Sequence, residues 1–118
     1  MPARTKCLRS SRKSAVSKRT RPPRRVDFTR RFLKDWERLS RSGRYDMHRL
    51  KAVMLELIAN EAPLGPERRD HALRGAWANH RECHVGGDFL LIYQVDDSPK
   101  PGGSINFVRA GTHAELFE

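Results

Sequence analysis

Arg81-Glu82-Cys83-His84-Val85-Gly86-Gly87-Asp88-Phe89-Leu90-Leu91-Ile92-Tyr93 is the stretch whose reading decides the fold. Upstream of it the apolar residues recur at helical spacing, and here the period changes. Arg81 to Val85 reads as a strand, and Gly86-Gly87 is a tight hairpin signal. Phe89 to Val95 is a nearly continuous apolar strand, expected at the centre of a sheet. Asp96 to Gly103 is a polar turn region. Ser104 to Arg109 is a final strand, followed by Ala110-Gly111-Thr112-His113. A strict two-residue loop at Gly86-Gly87 would pair Val85 with Asp88 and turn His84 and Asp88 to opposite sides. A loop of three or four residues is therefore expected, because it frees Asp88 to turn toward His84.

Working outward, residues 60–79 are loop-like, with Pro63, Gly65, Pro66 and Gly75. Before them lie two helices. Thr29 can cap the first, whose apolar stripe is Phe28, Phe32, Trp36 and Leu39 and which stops near Ser42-Gly43. Asp46 caps the second, with Met47, Leu50, Val53, Met54, Leu57 and Ile58 on its stripe and an end before Pro63. The short connector makes them an antiparallel hairpin. Arg25-Val26-Asp27-Phe28 is a short alternating strand ahead of them. The order β-α-α-β-β-β gives an α+β domain, a helical hairpin packed on one face of a small, mostly antiparallel sheet, with the other face open to a partner. No run of about 18 apolar residues exists, so no membrane span is expected. Cys7 and Cys83 lie far apart, which argues against a disulfide framework and fits a reducing cytoplasm.

The net charge of +10 is not spread evenly. Ten of the 24 Lys and Arg, and none of the acids, fall in residues 1–25, so the rest of the chain carries 14 cations against 14 acids. Residues 1–23, rich in Ser, Arg and Lys and ending in Pro22-Pro23, cannot bury enough apolar surface to fold and are read as a disordered basic arm ahead of a domain at 24–118. Three origins compete for the arm: a grip on nucleic acid, a misassigned start, or a targeting peptide. Phe28 to Lys51 holds eight basic and three acidic residues, a moderately basic helical region suited to a polyanion or to solvent.

Of five histidines, His48 is assigned to solvent and His80 has no evident role. His71, His84 and His113 lie at loop or strand-end positions, where a rigid scaffold can present them, and Asp88 follows the Gly-Gly turn. Histidine titrates near pH 6.5, so two or three around one phosphate supply both a base and an acid at neutral pH. RNA needs nothing more, because its 2′-OH is an internal nucleophile and neither a metal nor a protein nucleophile is required. Arg81 and Arg109, three and four residues before His84 and His113, are candidates to reach phosphate oxygens with a planar fork of donors.

Three ordered segments carry a resemblance. They are Asp70-His71-Ala72-Leu73-Arg74-Gly75-Ala76-Trp77, the Arg81–Tyr93 stretch, and Arg109-Ala110-Gly111-Thr112-His113-Ala114-Glu115-Leu116-Phe117. The chain from about residue 25 to 118 resembles the RelE/ParE toxin superfamily, and within it the YafQ branch of mRNA interferases. The resemblance implies a RelE-like fold and the toxin of a type II toxin–antitoxin pair, an endoribonuclease that cuts mRNA in the decoding site of the translating ribosome. It implies neutralisation by a cognate antitoxin, with operator DNA reached only through that complex. It maps functional roles onto His71, His84, Asp88, His113 and Phe117. Here Phe89 stands where relatives often carry Trp, and Gly87 where Pro is frequent. Phe117 either seals the core edge or stacks on an unstacked base. Two further readings compete: a non-catalytic ParE-like toxin or nucleic-acid-binding protein of the same fold, and a zinc hydrolase with His71, His84, Asp88 and His113 as ligands. The first does not need three such histidines, and no tight metal spacing supports the second. No cofactor is expected.

Overall fold

A computed structural model describes residues 22–97 and 102–117; the basic arm up to residue 21 lies outside the described residues. The chain forms strand β1 (Arg25–Phe28), helices α1 (Arg30–Ser42) and α2 (Met47–Ala59), a 3-10 turn at Pro66–Arg68, and strand β2 (His71–Ala72). A second 3-10 turn at Gly75–Trp77, strands β3 (Arg81–Gly86), β4 (Phe89–Asp96) and β5 (Ser104–Gly111), and helix α3 (His113–Phe117) follow. The five-stranded sheet has the order β1-β5-β4-β3-β2. Only β1 and β5 pair in parallel, Val26 opposite Ile105; the other pairs are antiparallel. The expected α+β architecture holds, with two elements added: the short edge strand β2 inside the expected loop, and α3 at the end.

The helices form where their caps and stripes place them. The Thr29 side chain accepts a hydrogen bond from Phe32 N and opens α1, while Gly43 ends it at φ +71, a left-handed conformation that glycine adopts without strain. Asp46 accepts from Arg49 N and opens α2. Their apolar stripes, with Phe32, Leu39, Leu50 and Val53, pack on Cys83, Val85, Leu91, Tyr93, Ile105 and Phe107 of the sheet. Cys83 is fully buried, and that burial pushes its thiol up to about 12, so it serves as a core residue rather than a nucleophile. Arg24 is held at the base of the sheet by its N–H to Ile58 O (2.8 Å) and its Nη1 to Leu57 O (2.6 Å). Among the described residues no helix is long and apolar enough to cross a membrane.

The opposite face is not uniformly open, which corrects the expectation. Leu90 and Ile92 on that face meet Leu116 of α3, and Leu73, Trp77, Val108 and Phe117 complete a second, smaller core. Half of the face is thus covered, and among the described residues no element packs over the half toward Gln94 and Asn106, which are half-buried in a groove.

One buried ion pair ties the layers together. Asp35 of α1 accepts from Arg109 Nε (2.7 Å) and Nη2 (3.1 Å), from the Ala110 N–H (3.1 Å) and from Arg38 Nη2 (3.1 Å). The Asp35 and Arg109 side chains are 7% and 11% exposed. Burial alone would raise the Asp35 pKa, but the bonds from Arg109, Ala110 and Arg38 outweigh it and hold the carboxyl below the ordinary 3.8. Asp35→Ala leaves the Arg109 guanidinium buried without its partner and should cost about 3–5 kcal/mol in urea unfolding. A carboxylate with a depressed pKa stabilises fully above its unfolded value and loses that contribution as pH falls through its folded value. The gap between parent and variant should therefore shrink as pH drops below 3.8; a gap constant with pH would show that ionisation of Asp35 contributes nothing.

Candidate functional site

The β3–β4 connection sets the geometry. Gly86 pairs with Phe89, and the register shifts between His84 and Gly86, so Val85 forms a bulge and the turn itself is Gly87-Asp88. The longer loop expected from sequence does not form. A two-residue turn displaced by one position, with a bulge before it, meets the same need: Asp88 sits in the turn and belongs to neither face. Gly87 takes φ +54 to make it. The Asp88 carboxylate accepts the N–H of His113 at 3.2 Å, and His113 Nδ1 lies 3.7 Å from the same oxygen.

His113 opens α3, a five-residue helix held by a reciprocal cap. Thr112 N donates to Glu115 Oε1 at 2.8 Å and Glu115 N donates to Thr112 Oγ1 at 3.3 Å, the two bonds of a Thr-x-x-Glu capping box. That signal was present in Thr112-His113-Ala114-Glu115 and could have found the helix. Leu116 anchors α3 in the second core. Phe117 lies against His113, with ring centroids 5.2 Å apart, and edge-on to Trp77 at 5.9 Å. It therefore borders the apolar patch and touches a site histidine at once.

His84 lies opposite Leu90 on the same sheet face. Its Nδ1 is 3.3 Å from Gly87 O, and since a carbonyl only accepts, this bond places the proton on Nδ1 and leaves the lone pair on Nε2. His71 stands opposite Glu82 across β2 and β3. Its Nδ1 is 2.7 Å from Arg69 O and its Nε2 is 3.4 Å from Glu82 Oε1. Both ring nitrogens face oxygen acceptors, so the protonated ring is the form that donates to both. Glu82, nearly fully buried and two residues before His84, is a partner that sequence reading did not single out. Its position in a period-2 strand was the available signal. Among the described residues, no three His, Cys, Asp or Glu side chains converge in an arrangement that could hold a metal ion.

The two arginines expected to reach substrate are engaged elsewhere. Arg81 donates from Nη2 to Asp70 at 3.0 Å, and Asp70 also accepts from the buried Tyr93 hydroxyl. The hydrogen bond that Arg81 donates to Asp70 raises the pKa of Arg81. Arg109 is the buried partner of Asp35. The register shift in β4–β5 makes Val108 the extra residue and turns Arg109 toward the helical layer. Arg49 is one of the cations beside the turn, with Arg44 and with Arg68, whose Nη1 donates to Val85 O at 2.9 Å. A Cβ on Gly86 would stand 2.9 Å from Arg49 Nη1, so glycine there lets the guanidinium close over the turn. Arg44, Tyr45, Arg49, Asp88 and Thr112 line a cavity of about 330 Å³ beside it.

A family model described as the bacterial toxin of type II toxin–antitoxin systems, YafQ, matches residues 24–118. The chain is 37% identical over 92 residues to the mRNA interferase toxin YafQ of Escherichia coli K12, covering 78% of this chain and 94% of that one. Its fold is similar to the toxin in the crystal structure of the E. coli DinJ–YafQ complex, with a TM-score of 0.70 at 37% identity over 80% of this chain and 99% of that one. It is also similar to a metal-bound toxin from Helicobacter pylori, with a TM-score of 0.68 at 36% identity over 79% and 98%.

Asp88→Ala removes the acceptor for the His113 N–H but leaves the capping box and the Leu116 anchor. Amide exchange measured by mass spectrometry or NMR should accelerate over His113–Phe117 and stay unchanged in β4. Equal protection of α3 in parent and variant would show that the turn does not hold this helix.

Proposed function

The chain belongs to the YafQ family of type II toxins, and from that premise we propose that it acts as an mRNA endoribonuclease on the translating ribosome, by metal-independent acid–base chemistry. The observation that carries this reading is the Asp88–His113 pair set one turn residue from His84, whose Nε2 is free to accept a proton. In the proposed step, His84 Nε2 takes the proton of the ribose 2′-OH. The 2′-oxygen forms a bond to phosphorus, the bond from phosphorus to the 5′-oxygen breaks, and protonated His113 delivers a proton to that leaving oxygen. Asp88 orients the His113 ring. His71 is held in place by Arg69 O and Glu82, and Arg49 binds a phosphate beside the turn. Phe117 positions a base against its ring. Asp88, His84, His71 and His113 thus act as one set, and truncating any of them should lower cleavage far more than binding.

An antitoxin fits the rest of the surface. On the helical hairpin Leu33 stands 55% exposed within the basic stretch Phe28–Lys51, and Leu55 stands 63% exposed on α2. An amphipathic, acidic segment would cover both and extend to the sheet face. Operator DNA would be met through that complex, and the site of action would be the cytoplasm. The basic arm, residues 1–23, would strengthen ribosome association without entering the chemistry.

The tests follow from the bond changes. Cleavage on programmed ribosomes should leave a 2′,3′-cyclic or 3′-phosphate and a 5′-OH, and His113→Ala should slow it by about 10²–10⁴-fold. Products with a 5′-phosphate would overturn attack by the 2′-oxygen. Because the related H. pylori toxin has been crystallised with metal bound, the protein should be stripped of metal with EDTA, freed of the chelator and then added to programmed ribosomes in Mg²⁺ buffer. Undiminished cleavage by the stripped protein supports independence of a tightly bound metal; loss restored only by adding back a transition-metal ion would overturn it. A protein beginning at Arg24 should still fold and cut, with a shallower salt dependence of ribosome binding. Complete loss of cleavage would place the arm in the site.

A further inference from the structure

The bare half of the sheet face carries a groove of about 680 Å³ that the acid–base set does not use. Gln94 of β4 and Asn106 of β5 stand directly opposite each other on its floor, with Ser104 beside them and Asn79 and His80 on its wall. Opposed residues in an antiparallel ladder have Cβ atoms roughly 4.5–5.5 Å apart, so two carboxamides lie side by side. Neither side chain makes a hydrogen bond to another described residue. A carboxamide offers a donor and an acceptor at adjacent atoms, the pattern that matches the edge of a nucleobase.

The groove is continuous with the candidate site. His80 lies edge-on to Trp77 at 5.2 Å, Trp77 edge-on to Phe117 at 5.9 Å, and Phe117 against His113 at 5.2 Å. This run of rings leads from the turn to the groove, and unstacked RNA bases pack on such surfaces. Along β4, Gln94 is four residues beyond Leu90, the partner of His84, and on the same face. That is about 13 Å at the rise of a strand, a few nucleotides of RNA. Among the described residues Arg81 is the one Lys or Arg lining the groove, and Asp70 holds it, so that lining suits the edge of a base better than a phosphate.

We propose that this groove is a base-recognition subsite for a nucleotide flanking the cleaved one, with Gln94 and Asn106 reading the base edge and the ring run guiding the strand to it. The proposal rests on the RNA-cleaving reading above. The test uses full-length protein and ribosomes programmed with mRNAs randomised around the cut, with cleavage sites mapped by 5′-end sequencing. The parent should show a base preference at one position a few nucleotides from the cut. The Gln94→Ala/Asn106→Ala double variant should flatten that preference by roughly tenfold, with KM raised and kcat on the preferred sequence nearly unchanged. Gln94→Glu, which keeps the shape and exchanges the donor for an acceptor, should shift the preference to another base. An unchanged preference in a variant with parental thermal stability would overturn the proposal. So would the absence of any flanking preference in the parent, or weakened antitoxin binding with an unchanged preference, which would make the groove a protein seat. Failure of the parent to cut RNA at all would instead overturn the functional reading.

Discussion

Asp35 is the constraint on which the rest of the molecule depends. A carboxylate buried in an apolar layer is costly unless it is well supplied with donors, and four bonds from Arg109, Ala110 and Arg38 supply it here. They also join α1 to the last strand just after its bulge. Arg38 continues the connection, because its Nη1 donates to Glu115 at 2.6 Å, and Glu115 holds Thr112 in the capping box that opens α3. A chain of charge-assisted bonds therefore runs from the helical layer to the residue that precedes His113. The position of a site histidine is linked to the packing of a helix on the other side of the sheet.

Most of the fold was legible in the residues, and the reasons are local. Thr29, Gly43 and Asp46 end or begin helices through their own side chains or their own φ, so position along the chain decides the outcome. Strands β4 and β5 show themselves by β-branched and aromatic residues between polar breaks, and β3 by the hairpin turn that follows it. What escaped was set by contacts between distant segments. Strand β2 is two residues long and exists because His71 and Ala72 meet Glu82 and Arg81. Both bulges answer to packing on two faces at once, which no window of sequence reports.

The candidate site shows the same division. His71, His84, Asp88, His113 and Phe117 were singled out from their types and their motifs; the last four lie around one turn and one short helix, and His71 stands on the edge strand opposite Glu82. Arg81 and Arg109 were chosen by spacing from the histidines, and spacing does not record which face a bulged strand presents. Their acids, Asp70 and Asp35, sit 11 and 74 residues away in sequence. Arg49 is the converse case. It looks like any solvent-facing helix residue, and only the missing side chain at Gly86 shows that it lies over the turn.

Helix α3 carries two burdens that pull on each other. Leu116 and Phe117 close the second core over Leu90 and Ile92, while His113 at its other end faces Asp88. A five-residue helix is too short to be stable by its own hydrogen bonds. It persists because the capping box closes its first turn, Arg38 ties Glu115 to α1, and Leu116 anchors it on the sheet. Chemistry that needs a ring held in one orientation requires such support around it. The cost is that α3 covers only half the face, and the bare half keeps its carboxamides in water. Under the proposed function that division is useful: the covered half would fix the candidate acid–base groups, and the uncovered half would leave room for the nucleotides beside them.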